Sequence, residues 1–169
     1  MEGKAKILGH SIHPILIVFP LGLLGTGVIF DIIYMSTGNT AFATATYWML
    51  VAGLIGGLVA APFGLIDWIA IPSDTRAKSV GLLHAVVNVV ALLLFAVSWY
   101  LRNDTPQRPP MSANVFGFAG LAFALVGGWL GGELVERLGI GVHSGANPNA
   151  PSSLETASAT LHGSHPHRP

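Results

Sequence analysis

GHSIHPILIVFP, residues Gly9 to Pro20, decides how the rest of the chain is read. Two histidines three positions apart run directly into an apolar segment that continues to about Ser36. That segment exceeds the roughly 20 residues needed to cross a bilayer core. The candidate site and the membrane therefore begin at the same place.

The composition agrees. Of 169 residues, 51% are hydrophobic and only 9% charged, with a mean hydropathy of +0.62, whereas about a quarter of an average soluble domain is charged. Basic and acidic residues balance to a net charge of zero, so no field for nucleic acid exists and that class of partner is excluded. Without cysteine there is no disulfide, thiolate nucleophile or cysteine-held cluster, and a bound metal or haem must rely on His, Asp, Glu or Met. Lys4 and Lys6 before the apolar run resemble a secretory signal. The run outlasts a signal core and lacks a small-residue cleavage site, so a retained helix is expected.

Four segments are long enough to span: about Pro14 to Ser36, Ala43 to Ile71, Lys78 to Leu101 and Val115 to Leu138. The short connections Thr37 to Phe42 and Pro72 to Ser79 make neighbours antiparallel, and Arg102 to Asn114 reads as a proline-broken loop. The expected fold is all-α, an integral membrane four-helix bundle running up-down-up-down over residues 1–143. The Ser, Pro and His-containing stretch 144–169 is expected to be a disordered tail. Six of the eight Lys and Arg residues fall on the N-terminal side of the spans, which predicts cytoplasmic termini in a bacterial inner membrane.

Helical spacing assigns faces. His13, Ile17, Pro20, Leu24, Gly27 and Asp31 share one side of the first helix. Gly53, Gly57, Ala60, Gly64 and Asp67 form a packing stripe on the second, and Gly81, His84, Asn88, Ala91, Phe95 and Ser98 do so on the third, with Leu83, Val87, Val90, Leu94 and Val97 toward lipid. Gly117, Gly120, Ala124, Gly127, Gly128, Gly131 and Gly132 give the fourth a broad glycine face. Pro20 and Pro62 lack the N–H that would bond Leu16 and Leu58, so both helices can bend. Near the other end, Asp31 is expected to accept from Tyr34, Tyr47 or Tyr100 or to pair with Arg102. Trp48, Trp68, Trp99 and Tyr100 read as interfacial anchors.

The ionisable residues within the spans collect at the histidine end. His10, His13, Asp67, His84 and Glu133 lie at similar depth, where an ionisable group is usually paired or lines a cavity. A faint repeat, GLIGGLVAAPFGLID against GLAFALVGGWLGGE, suggests a duplicated hairpin that faces His13 toward His84 and Asp67 toward Glu133.

Gly9-His10-x-x-His13-Pro14 with Phe19-Pro20 and Asp31, Gly64-Leu65-Ile66-Asp67-Trp68, His84 with Asn88, and Gly131 to Val135 together resemble the bacterial membrane family called domain of unknown function 2231, over about Gly9 to His143. The resemblance implies a four-helix membrane domain. It also implies, by the fusion of some members to Rieske-type or cytochrome-like domains, a role near electron transfer and a redox protein as partner.

Three readings of the site stand open. His13 and His84 on facing helices suit haem b. His10, His13 and His84 with Asp67 or Glu133 suit a divalent metal. The same side chains can also bind nothing, and either lock the bundle or line a proton or ion path. No serine, histidine and acid trio indicates covalent catalysis, so the chain is not expected to be an enzyme in its own right. In the tail, His162, His165 and His167 are metal donors by residue type, with solvated side chains as the simpler reading.

Overall fold

The structure, a computed structural model, describes residues 1–154. The tail histidines His162, His165 and His167 lie outside the described residues.

Four long helices follow a short N-terminal hairpin. They are α1 (Ile12–Thr37), α2 (Thr40–Ile69), α3 (Arg76–Leu101) and α4 (Met111–Gly132), the last continuing through a single wide turn, Glu133–Arg137. The hairpin pairs β1 (Lys6–Ile7) with β2 (His10–Ser11). Local chemistry sets the boundaries. Gly38 ends α1 in the left-handed conformation, φ 70°, with its N–H returned to the Tyr34 carbonyl, a geometry open to glycine because no Cβ crowds it. Asn39 then caps α2 by accepting from the Ala41 N–H, and Thr75 caps α3 through the Lys78 N–H. The fourth helix starts at Met111, directly after Pro109-Pro110, so the third connection is shorter than expected. Proline lacks an N–H that a first helical turn leaves unbonded anyway, so Pro110 starts the helix instead of delaying it.

The four helices are each long and apolar enough to span a membrane, and together they form an antiparallel membrane bundle. Lipid takes the place of water around it: Val18, Leu58 and Leu125 are each more than 60% exposed, an arrangement that only a hydrocarbon surround favours. The interior is thin. Leu24, Val28, Leu50 and Phe95 form its cluster, and small residues elsewhere bring backbones together. On α3 the expected stripe is inward, except that Val87, assigned to lipid from spacing, is buried. The glycine face of α4 is narrower than expected. Gly117, Gly120 and Gly127 are buried, while a Cβ at Gly128 or Gly132 would meet nothing.

α1 packs chiefly on α2, and α3 on α4, with sparser contact between the two pairs. The two hairpins are pseudo-equivalent. A constant offset along α1 and α3 matches His13 with His84, Leu24 with Phe95, Gly27 with Ser98 and Asp31 with Arg102. A constant offset along α2 and α4 likewise matches Thr46 with Ala113, Gly53 with Gly120, Ala60 with Gly127 and Gly64 with Gly131. Contacts follow the match layer by layer. Leu24 fills the space over Gly53 as Phe95 does over Gly120, where an added Cβ would come within 2.7 and 3.0 Å of those side chains. The Thr46 hydroxyl donates to the Gly27 carbonyl at 3.0 Å, and at the matched positions the Ser98 hydroxyl donates to Ala113 at 2.7 Å. Donor and acceptor have changed helices while the bond has stayed. The repeated unit is thus the helical hairpin, related by an axis along the bundle.

Candidate functional site: a paired-imidazole centre

His13 sits in the first turn of α1 and His84 two turns into α3. Their ring centres are 6.4 Å apart, with planes crossed at 83°. His13 Nδ1 lies 3.0 Å from the Ala60 carbonyl oxygen and His84 Nδ1 lies 2.9 Å from that of Gly127. A carbonyl only accepts, so each Nδ1 carries the proton and donates. In the neutral ring Nε2 is then left with its lone pair.

Small residues admit the rings. A Cβ on Gly64 would come within 2.9 Å of the His13 ring, and one on Gly131 within 3.2 Å of the His84 ring. Asn88 stands over His84: its Nδ2 donates to the His84 carbonyl at 2.8 Å and lies 3.3 Å from both ring nitrogens. An atom equally far from the two nitrogens cannot take the in-plane lone pair of either, so Nε2 stays available as a donor to a ligand.

The other residues expected at this site are engaged elsewhere. Asp67 Oδ1 accepts the backbone N–H groups of Lys4 at 2.6 Å and Ala5 at 3.3 Å, so it fastens the N-terminal segment to the end of α2. Glu133 Oε1 accepts from Arg76 Nη2 at 2.6 Å. The expected facing of Asp67 toward Glu133 is therefore corrected. In the register of α2 and α4 that matches Ala60 with Gly127, the match of Asp67 is Leu134 and that of Glu133 is Ile66. His10 lies in β2, exposed, with its Nε2 3.4 Å from the Ser153 hydroxyl. Although α1 does begin before Pro14, the hairpin turns His10 away from His13. Among the described residues no three His, Asp or Glu side chains stand close enough to hold one metal ion.

The N-terminal segment covers this end. Ile12 N–H returns to Ala5, the Met1 amine donates to the Gly139 carbonyl, and the Gly141 N–H donates to Met1. Glu2 pairs with Lys6 and meets His143 and Ser144 beyond α4.

At the far end, Asp31 and Arg102 form a two-point ion pair, 3.0 Å at each contact, with both side chains at most 2% exposed. Arg102 also donates to the Ser98 carbonyl and hydroxyl. Of the partners expected for Asp31, Arg102 is the one found, while the Tyr47 hydroxyl donates to Asn103. Trp48 and Tyr100 face outward as anchors do, but Trp99 packs against the core cluster and Trp68 donates to the Lys78 carbonyl. Sequence reasoning missed the carbonyls of Ala60 and Gly127 as partners. The signal that finds them is the register of the other helix pair: aligning Gly53 with Gly120 places these two small residues at one position.

Fold and site define a class: a four-span membrane bundle of two repeated hairpins that brings one imidazole from each into a shared centre. The chain belongs to the family of predicted membrane proteins called domain of unknown function 2231, whose model matches residues 9–144. No curated protein and no solved structure matches it.

Proposed function

We propose that His13 and His84 are the two protein ligands of a b-type haem at the cytoplasmic end of a bacterial inner-membrane bundle, and that the protein serves electron transfer with a Rieske or cytochrome domain as partner. The observation that carries this reading is the pair of Nδ1–H to carbonyl bonds, the bond by which ligating histidines are usually oriented. Both rings are held as neutral tautomers with Nε2 free to bind.

The donor count favours haem over a bare ion. Structural zinc takes four protein ligands and catalytic zinc three, and here Asp67, Glu133 and His10 are engaged away from the imidazoles. Haem iron brings four nitrogens and asks the protein for its axial ligands. The two ring centres stand 6.4 Å apart, and His13 and His84 would be the residues to hold the group. The sparse contact between the hairpins supports entry of a flat group from the lipid side. A bound haem would supply one-electron chemistry. The chain's part is to orient the imidazoles through Ala60 and Gly127 and to close the end with the segment fastened by Asp67.

The test is the reduced-minus-oxidised visible spectrum of protein purified from haem-replete cells. A Soret band is expected, lost in His13→Ala and in His84→Ala while helix content is kept. A colourless wild type sinks the reading. It would leave the second one, a bundle without cofactor whose histidines lock each hairpin or pass protons. The same carbonyl bonds favour that alternative, and proton uptake by proteoliposomes tests it.

A further inference from the structure

The two seams between the hairpins, α2 against α3 and α1 against α4, are built differently at the histidine end. In the register that matches His13 with His84, α3 (Arg76–Leu101) corresponds to residues 5–30, yet α1 begins only at Ile12. Residues 5–11, the match of the first two turns of α3, form strand and turn instead. On α3 those two turns carry the lock to α2. Trp68 packs on Gly81, where an added Cβ would come within 2.8 Å of the indole, and donates to the Lys78 carbonyl at 3.1 Å. Lys78 Nζ donates to the Trp68 carbonyl at 2.8 Å and stands 4.0 Å from the centre of its ring.

The α1/α4 seam lacks this lock. The matches of Trp68, Gly81 and Lys78 are Val135, His10 and Ile7, and all three are exposed. Three turns deeper, Leu92 seats on Gly57, leaving 2.7 Å to an added Cβ. At the matched positions stand Ala124, which has the Cβ that seat excludes, and Leu21, which is 46% exposed. The open stretch leads to the imidazoles: Gly131, against which the His84 ring packs, lies on α4 between Gly128 and Gly132, where an added Cβ would meet nothing.

The N-terminal segment spans the mouth of this seam. Asp67 on α2 holds its Lys4 and Ala5 amides at 2.6 and 3.3 Å. Beyond α4 the Gly141 N–H donates to the Met1 carbonyl at 2.7 Å, and Ser144 and His143 meet Glu2. Contacts of this kind, at the surface and without apolar packing, open at far lower free energy than a packed core. At the other end the buried Asp31–Arg102 pair joins the hairpins.

We infer that the α1/α4 seam is a lateral gate between the membrane and the imidazoles, latched by residues 1–7 and hinged on the Asp31–Arg102 pair and the α2/α3 lock. Opening is a hinge motion of one hairpin against the other, with the latch as the part that yields. The gate leads to His13 and His84 whatever they hold, so it stands apart from the haem reading.

The experiment measures distances between spin labels on the full chain in nanodiscs. The sequence has no cysteine, so introduced pairs are its only thiols. Ile15→Cys with Gly132→Cys spans the α1/α4 seam, and the matched pair, Val86→Cys with Leu65→Cys, spans the α2/α3 seam; all four positions are exposed. Releasing the latch with Glu2→Ala and Asp67→Ala should give the first pair a population roughly 5 Å longer, the scale of a one-turn displacement between helices. The second pair should not move. Should that variant fail to fold, Gly3→Val lifts the segment from within, because its Cβ would collide with the Ser11 hydroxyl and lie 3.2 Å from the Asp67 carboxylate. It should lengthen the same pair. An unchanged first pair, or lengthening of both, would overturn the inference.

Discussion

The two ends of the bundle use matched positions in opposite ways. At one end His13 and His84, equivalent in the two hairpins, are the same residue; at the other, the equivalent residues are Asp31 and Arg102. Unlike residues complete one another. The carboxylate takes both arms of the guanidinium and Ser98 takes much of the remainder, so the pair asks for nothing further, and a buried charge in a membrane persists on those terms. Like residues cannot do this. Each imidazole instead commits its Nδ1–H to a carbonyl of its own hairpin, and the two rings meet edge to face without bonding each other. Where the repeat has diverged it has made a structural clamp, and where it has kept one residue twice it has kept the same bond to a carbonyl in each hairpin.

The comparison breaks most visibly at the clamp. Arg102→Ala leaves the Asp31 carboxylate buried and alone, and should cost about 3–5 kcal/mol, read as loss of the bundle in a detergent unfolding titration. Replacing both by apolar residues, Asp31→Leu with Arg102→Met, should recover most of that loss, since neither charge is then stranded. The matched positions sharpen the point. Asp31→Arg with Arg102→Asp exchanges the roles, and adding Gly27→Ser with Ser98→Gly moves the helper hydroxyl too. The four-fold exchange should be more stable than the two-fold one if the hairpins are equivalent there. Equal stability of the two would argue that the axis stops short of this layer.

The histidine end should behave differently. His84→Ala removes one bond to a carbonyl, worth about 1 kcal/mol, and leaves no charge stranded, so the bundle persists while any spectrum is lost. Gly131→Val sharpens this, because a Cβ there lies 3.2 Å from the His84 ring and a branched side chain must push it off the Gly127 carbonyl. An intermediate effect is expected: loss of the spectrum as in His84→Ala, with about 1–3 kcal/mol of overpacking besides. The equivalent change at Gly64 should match it. A large difference between the two would mean that His13 and His84 do unequal work.

Much of this was legible in the sequence because a membrane leaves the chain few choices. Apolar length gave four spans and short connections gave their order. The inward stripe of α1 was readable because Pro20, Leu24, Gly27 and Asp31 recur at helical spacing. Val87 was not, since in a lipid-surrounded bundle an aliphatic residue suits either side and spacing alone must decide. The site was half legible. Histidines on inward faces can be found by depth and period, and they do meet. The carboxylates were misplaced because depth does not say which neighbour reaches them. Asp67 turns to the amides of Lys4 and Ala5, in a segment with no apolar period to betray its path, and Arg76 reaches Glu133 across the mouth. Asn114 was assigned to a loop because Pro109-Pro110 reads as a break, when it marks a start.

The smallest effect expected is in the segment that closes the histidine end. Hydrogen bonding by the Lys6 ammonium, then by the Ser144 N–H, with the charge of a protonated His143 added, holds the Glu2 carboxyl below its ordinary range. A depressed carboxyl contributes its stability above the ordinary carboxylate pKa and loses it as pH falls through the lowered value. The fastening of residues 1–7 to the turn beyond α4 should therefore loosen in acid and hold at neutral pH. The group is exposed, so solvent keeps the effect small. Hydrogen exchange of an N-terminal peptide, corrected for the intrinsic pH dependence of exchange, reads it directly. Glu2→Gln should exchange at neutral pH as the wild type does in acid, and its corrected protection should no longer change with pH. Asp67→Asn weakens the segment's other anchor and should raise exchange at Lys4 and Ala5 at every pH. If Glu2→Gln kept the wild-type pH dependence, the Glu2 carboxyl would not be the acid-sensitive contact, and the closure would not be governed by the pairing beyond α4.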